Sequence, residues 1–214
     1  MLSPEEKYLL SHCTPQGEAL RWIERQTHIR TNYPQMLSGP VQGRLLTMIV
    51  QMTGARSILE IGCFTGYSSV CMAYGMPQGE GHIDSLEIND ELEPLIREGW
   101  ERAGVSHRIS LHLGDARKTL LALALEGRQY DLVYMDANKR EYCQYYELFF
   151  PLVRGGGIIL ADDILWDGKL YSDPIPQDAQ TQGISRFNDM VSSDPRVEVV
   201  LLPLRDGLGI IRKK

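Results

Sequence analysis

The stretch SILEIGCFTGYSS, residues 57–69, constrains this chain more than any other. Its apolar run, Ile58 to Ile61, reads as a buried strand. Gly62 and Gly66 follow, and Tyr67 to Tyr74 reads as a helix. A strand, a glycine turn and a helix N-terminus make a ligand cradle. Glycine takes positive φ and lets backbone approach a ligand, and the first helical N–H groups have no intrahelical acceptor. The spacing Glu60-x-Gly62-x-x-x-Gly66 departs from the G-x-G-x-x-G dinucleotide fingerprint. A carboxylate at the strand end repels a pyrophosphate and attracts a cation, so the pattern favours a cationic, nucleoside-bearing ligand. An ordinary strand-to-helix turn is the alternative.

Around this stretch the chain alternates. Helices are expected at about 3–12, 16–28 and 41–53, with a loop from Thr31 to Pro40. Ser3 is the expected cap and Pro4 the first-turn residue of the first helix. These pieces precede the first strand and are expected to form a lid or partner-binding segment. Strands follow at 82–87, 108–112, 130–135 and 157–161, with helices at 89–103, 115–125, 140–153 and around 184–191. The runs 197–202 and 208–212 are separated by a gap too short for a crossover helix, so they must be antiparallel. Strands alternating with helices imply a mostly parallel sheet covered on both faces, an α/β fold ending in a hairpin. The polar stretch from Asp167 to Gln182 reads as an active-site loop.

The 214 residues suffice for one domain with a full core. A net charge of −6 weighs against a nucleic-acid grip, which usually needs a basic face. Cys13, Cys63, Cys71 and Cys143 have no metal-type or disulfide spacing and fit a reducing compartment. With no signal peptide and no apolar run of spanning length, the expected location is cytoplasmic and off the membrane.

In open α/β sheets ligands bind beyond the carboxyl ends of the strands. There the sequence places Gly62 and Phe64, Glu87, the run Gly114-Asp115-Ala116, Asp136 to Lys139, and Asp162-Asp163. Glu87 can accept from ribose hydroxyls; a solvated acid is its alternative. Asp115 can reach an adenine edge or simply cap the next helix. Asp136, Asp162 and Asp163 should converge, since the fourth and fifth strands are neighbours in such sheets. Two like charges about 4 Å apart cost roughly 4 kcal/mol at an effective dielectric of about 20. Three need relief, from a raised pKa or from a cation such as Mg²⁺, Ca²⁺ or Mn²⁺. Lys139, three residues after Asp136, is a candidate base whose pKa should fall beside a divalent ion; a plain carboxylate pairing is the alternative.

These residues carry a resemblance. LEIGCFTGYSS, the acid in SLEIND, GDA at 114–116, YDLVYMDANKREYCQYYE, GGGIILADDILWDGKL and PLRDGLGIIRK together resemble the class I S-adenosylmethionine-dependent O-methyltransferases. Within them the chain is similar to the cation-dependent catechol and caffeoyl-CoA group, in its small bacterial form, from about residue 36 to the end. The resemblance implies a Rossmann-like sheet of seven strands with the last antiparallel, and a single methyltransferase domain. Residues 57–214 would bind S-adenosylmethionine, and residues 1–53 would form the helical addition. It further implies cofactor contacts at Ser38, Glu60, Gly62, Ser68, Glu87, Ala116 and Asp136, and a metal, Mg²⁺ first, on Asp136, Asp162 and Asp163. Lys139 and Asp136 would serve catalysis. A homodimer and a phenolic, vicinal-dihydroxy acceptor complete the implied picture.

The chain departs from the family at three places. Asp163 stands where the family usually has Asn, Asn138 where many relatives have Asp, and Gly209 where the catechol enzyme has a substrate-contacting Glu. The rivals are a tRNA hydroxyuridine O-methyltransferase of the same fold, with Arg21, Arg25 and Arg30 touching phosphate, and a non-catalytic nucleoside-binding protein. The complete set of Asp136, Lys139, Asp162 and Asp163 argues against the latter.

Overall fold

Apolar runs bounded by glycine and polar turns set the strands, and the computed structural model describes residues 3–214 of them and their helices. In chain order the elements are α1 (Pro4–His12), α2 (Glu18–Arg30), α3 (Gly39–Thr53), β1 (Ser57–Ile61), α4 (Tyr67–Gly75), β2 (His82–Glu87), α5 (Glu93–Arg102), β3 (Ile109–Leu113), α6 (Ala116–Leu125), β4 (Tyr130–Met135), α7 (Tyr142–Phe149), β5 (Val153–Asp162), α8 (Ala179–Ser193), β6 (Val197–Leu202) and β7 (Leu208–Lys213). The strands join in the order β3-β2-β1-β4-β5-β7-β6. β1, β4 and β5 run parallel, while β7 is antiparallel to both β5 and β6. The seven-stranded, mostly parallel sheet with a terminal antiparallel hairpin is therefore as expected.

Several boundaries differ from the sequence reading, each for a local reason. β5 begins at Val153 rather than 157, and its pairing with β4 shifts register between Tyr130 and Leu132. The Gly155-Gly156-Gly157 tract is absorbed as a bulge in a strand that continues. The supposed active-site loop 167–182 is half structured. It holds a 3₁₀ turn at Lys169–Tyr171, and α8 already starts at Ala179 because Asp178 caps it by accepting from Gln180 and Thr181 N–H. The loop 31–40 is shortened by a 3₁₀ turn at Pro34–Met36 and by α3 starting at Gly39.

The chain divides into two compact units, interleaved in sequence. One comprises the residues up to Arg56, Cys63–Ile83 and Asn89–Leu111. Its helices α2, α3, α4 and α5 bury Ile23, Leu46, Val50, Val70, Met72, Ile96 and Trp100. The N-terminal helices α2 and α3 thus share one packed unit with α4 and α5. The other comprises Ser57–Gly62, Asp84–Ile88 and His112–Lys214. Its core runs from Leu59 and Ile61 through Val133, Met135, Ile159 and Ala161 to the aromatic set Tyr142, Tyr146, Phe149 and Phe187. The strands β1 and β4 are buried along nearly their whole length, the mark of parallel strands covered on both faces. Among the described residues no helix is long and apolar enough to cross a membrane.

Phe187 lies fully buried on α8, edge-on to Tyr142 with ring centroids 5.3 Å apart. Phe187→Ala should cost about 3–5 kcal/mol of stability, read as a lower urea midpoint.

Candidate functional site

The second unit brings the ends of β1, β4 and β5 side by side, since Ile61 pairs with Met135 and Met135 with Ala161. β1 passes into Gly62, whose φ is 94° and whose added Cβ would lie 2.1 Å from the Asp136 carbonyl oxygen. Only glycine can let the backbone following β4 come this close. Asp136 in turn donates its N–H to the Ile61 carbonyl at 2.8 Å.

After Asp136 the chain turns sharply. Asn138 caps a 3₁₀ turn, Lys139–Glu141, and this turn carries the Lys139 side chain back over the strand end. Lys139 is 5% exposed, and each of its three ammonium protons has an acceptor. Nζ donates to Asp136 Oδ1 at 2.7 Å, to Asp163 Oδ2 at 2.8 Å and to the Tyr142 hydroxyl at 2.8 Å. Tyr142 passes the chain on by donating to the Asp162 carbonyl at 3.0 Å.

At the end of β5, Asp162 is held by donors on both oxygens. Tyr134 OH donates to Oδ2 at 2.6 Å and the Asp163 N–H to Oδ1 at 2.9 Å. Asp163 has φ 57°, a left-handed conformation that Asp and Asn tolerate better than other side chains.

The electrostatics follow from this packing. Burial pushes the Asp136 carboxyl up from its ordinary value, Lys139 pulls it down, and Asp162 and Asp163 push it up again. The side chain is still 21% exposed, which tempers the upward push. Burial alone would lower the Lys139 ammonium, but Asp136, Tyr142 and Asp163 hold it well above the usual lysine range. The three acceptors around Nζ favour the charged ammonium; the fall expected of Lys139 belongs to the site with a divalent ion bound.

The sequence-predicted residues fall into two groups. Glu60, Gly62, Glu87, Asp115, Ala116, Asp136, Lys139, Asp162 and Asp163 belong to the second unit. Ser38, Phe64 and Ser68 belong to the first, where Ser38 and Ser68 are buried and Phe64 has a left-handed φ of 49°. Glu60 is fully buried and accepts from Ser85 Oγ. Glu87 ends β2 at 8% exposure, with its carbonyl accepting from Gly114 N–H. Asp115 takes the capping role left open by the sequence. It accepts from the Arg117 N–H, and its two oxygens also receive the Arg117 guanidinium, which pulls its carboxyl down to about 2. Ala116 opens the helix that Asp115 caps.

Two residues escaped the sequence reading. Tyr134 and Tyr142 look like packing in aromatic-rich runs, yet both hydroxyls sit among the acids. The signal was weak but present: a buried tyrosine usually needs a partner for its hydroxyl.

The carboxylates fit a hard divalent cation by donor chemistry, all being anionic oxygen. Asp136 and Asp163 already converge on one positive charge, the Lys139 ammonium. Among the described residues, however, no three His, Cys, Asp or Glu side chains form a ready ligand set. A surface depression of about 610 Å³ at the C-terminal end of α8, lined by Arg186, Met190, Asp194 and Arg196, contains none of the predicted residues.

Comparison with known proteins gives a consistent picture. The family model described as O-methyltransferase matches residues 11–214. A probable caffeoyl-CoA O-methyltransferase 2 of Dictyostelium discoideum is 35% identical over 180 residues, covering 83% of this chain and 78% of its own. An O-methyltransferase from Bacillus cereus, solved in complex with SAH, superposes with a TM-score of 0.92 at 29% identity, covering 99% of this chain and 98% of its own. The O-methyltransferase TomG of Streptomyces achromogenes, solved with SAM, gives 0.91 at 28% identity with both chains fully covered.

Lys139→Met should remove about 3–5 kcal/mol of stability near neutral pH, because it leaves buried carboxylates without their cation. The wild-type contribution of Lys139 is complete below the ordinary lysine value and drains away only above it. In the variant the Asp136 carboxyl, already raised, rises further. The deficit should therefore shrink as pH falls and Asp136 takes up a proton, which urea titrations at pH 8 and pH 5.5 would compare.

Proposed function

The chain belongs to the O-methyltransferase family, and on that premise we propose that it moves the methyl group of S-adenosylmethionine onto one hydroxyl of a catechol-like, vicinal-dihydroxy small molecule, with a divalent cation, Mg²⁺ first, at the site. The S-adenosylmethionine dependence is that of its family, whose structural neighbours were solved with SAH and SAM. The observation that carries the finer reading is the convergence of Asp136 and Asp163 on a single positive charge, with Asp162 next in the chain.

The residues divide the work as follows. Glu87, at the end of β2, accepts from the ribose hydroxyls of the cofactor. Glu60 and Asp136 face its amino-acid end, and Gly62 lets the backbone come close. Asp136, Asp162 and Asp163 would hold the cation, which when bound makes a neighbouring hydroxyl more acidic. Tyr134 and the Asp163 N–H keep Asp162 oriented. While Asp136 and Asp163 hold it, Lys139 is a fixed cation at Nζ. Were those carboxylates engaged by the cation, the ammonium would lose a proton to solvent, and the neutral Nζ would be the group placed to accept the proton leaving the acceptor hydroxyl. The oxyanion then attacks the methyl carbon as the carbon–sulfur bond breaks, giving the methyl ether and SAH. Alignment of the two reactants can supply about 7–11 kcal/mol of the barrier reduction.

The RNA alternative has less support. Arg30 shares Glu98 with Arg102, and Arg21 donates to the Gln16 carbonyl, so two of the three arginines proposed for phosphate are engaged internally. Exposed Val200 and Leu201 on β6, the edge strand, support assembly as a homodimer. The cytoplasm is the proposed location.

Labelled S-adenosylmethionine supplied with phenolic acceptors or bulk tRNA, with and without Mg²⁺, tests the reading. Label should enter catechols only when the ion is present; transfer to tRNA alone would favour the rival. Asp162→Ala should abolish ion-dependent turnover while SAH binding stays largely intact, and full activity in excess chelator would remove the ion's role. Glu87→Ala should raise KM for S-adenosylmethionine at least tenfold or so, about the value of hydrogen bonds to a charged group.

A further inference from the structure

We propose that Thr27, on α2, is a positioning residue for the cofactor turn: by accepting a hydrogen bond from Thr65 it fixes the backbone from Cys63 to Gly66. This rests on the proposed use of S-adenosylmethionine and on the sequence reading of the strand–turn–helix stretch 57–69 as its cradle.

Thr27 and Thr65 are both fully buried, and their hydroxyl oxygens lie 2.8 Å apart. The donor can be assigned. Thr27 Oγ1 also lies 2.8 Å from the Ile23 carbonyl, one helical turn back, and its single proton goes there. Thr65 must therefore donate to Thr27. The bond fixes the side chain of Thr65, already stiff at χ1 because it is β-branched.

Thr65 sits at the strained point of the turn. Phe64 before it has φ 49° and Gly66 after it φ 81°. A left-handed non-glycine residue persists only where its surroundings hold it. Gly66 N–H closes the turn on the Cys63 carbonyl at 3.0 Å. Trp100 Nε1, on α5, donates to the Gly66 carbonyl at 3.2 Å, and an added Cβ on Gly66 would lie 2.5 Å from that nitrogen. Two helices thus grip adjacent residues, α2 at Thr65 and α5 at Gly66. A turn held this way presents its amides without reordering when ligand arrives, which is how preorganisation raises affinity. The α2 helix, set aside by sequence as part of a lid or interface, is on this account part of the cofactor scaffold.

The test uses the full chain. Thr27→Val keeps the shape and removes the oxygen; Thr27→Ser keeps the oxygen. SAH binding is measured by calorimetry at a temperature where circular dichroism shows each variant folded. Thr27→Val should weaken SAH binding about tenfold, the scale set by stranding a buried hydroxyl. Thr27→Ser should bind like wild type. With a catechol acceptor, Thr27→Val should raise KM for S-adenosylmethionine while kcat at saturating cofactor holds. Thr65→Val should match Thr27→Val, and the double variant should lose no more than either alone, since both remove one bond. Wild-type affinity in a folded Thr27→Val or Thr65→Val would overturn the inference, as would a Thr27→Ser variant as weak as Thr27→Val. If wild type itself binds no SAH, the cofactor reading falls and takes this inference with it; equal binding by wild type and variants removes the inference alone.

Discussion

A buried ammonium set between carboxylates is the interaction on which the site depends. Lys139 reaches three acceptors from a position almost sealed from solvent. Desolvating a lysine is costly, and several elements must cooperate to offset it. β4 ends at the right residue to leave Asp136 beside the amine. The turn capped by Asn138 folds the side chain back. β5 delivers Asp163 in a left-handed conformation that aims its carboxylate inward. The Tyr142 hydroxyl fills the third direction. Without the parallel register of β4 and β5 these groups would not meet.

The fold was legible in the sequence wherever an apolar run is cut off by turn residues. β2, β4 and β6 run over the residues that their apolar runs mark out. Legibility failed where backbone chemistry and packing disagree. The sequence start of β5 at Gly157 is four residues late, because the strand already pairs with β4 at Val153 and passes through the glycine tract as an irregularity before pairing resumes at Ile158. The stretch before α8 reads as a loop from its proline, aspartate and glutamine content, but the Asp178 cap is enough to start a helix inside it.

The site was legible in position and not in partnership. The rule that ligands lie beyond strand ends picked out Gly62, Glu87, Asp136, Asp162 and Asp163, and these do lie at the ends of β1, β2, β4 and β5. It could not say what each side chain touches. Asp115 offered two equal readings, and the choice depended on Arg117 two residues away. The crowding of three acids did call for a positive charge, and the structure supplies one from Lys139. The sequence reading of that lysine as a base concerns the site with an ion bound; here its charge is held by three acceptors. Tyr134 and Tyr142 gave only a weak sign, because an aromatic in an apolar run says that its hydroxyl needs a partner and not where that partner lies.

The substitution of Asp163 for the family's usual Asn is where backbone and charge separate. The position needs a left-handed residue, and the chain is held there by the Trp166 N–H on the Asp163 carbonyl and by Ile164 and Leu165 N–H groups on the Gly207 and Asp206 carbonyls. Among non-glycine residues Asn and Asp meet that demand best, so the backbone tolerates either. An amide would give Lys139 a neutral acceptor, whereas Asp163 gives it a second full negative charge. Were the proposed divalent ion bound, the three acids, one lysine and the ion would sum to zero, whereas with Asn they would leave a net positive site. A neutral site loses less on being closed from water, while a positive one would better attract an acceptor that has already lost its proton. The residue that departs from the family therefore leaves the shape of the turn alone and changes the charge beside Lys139.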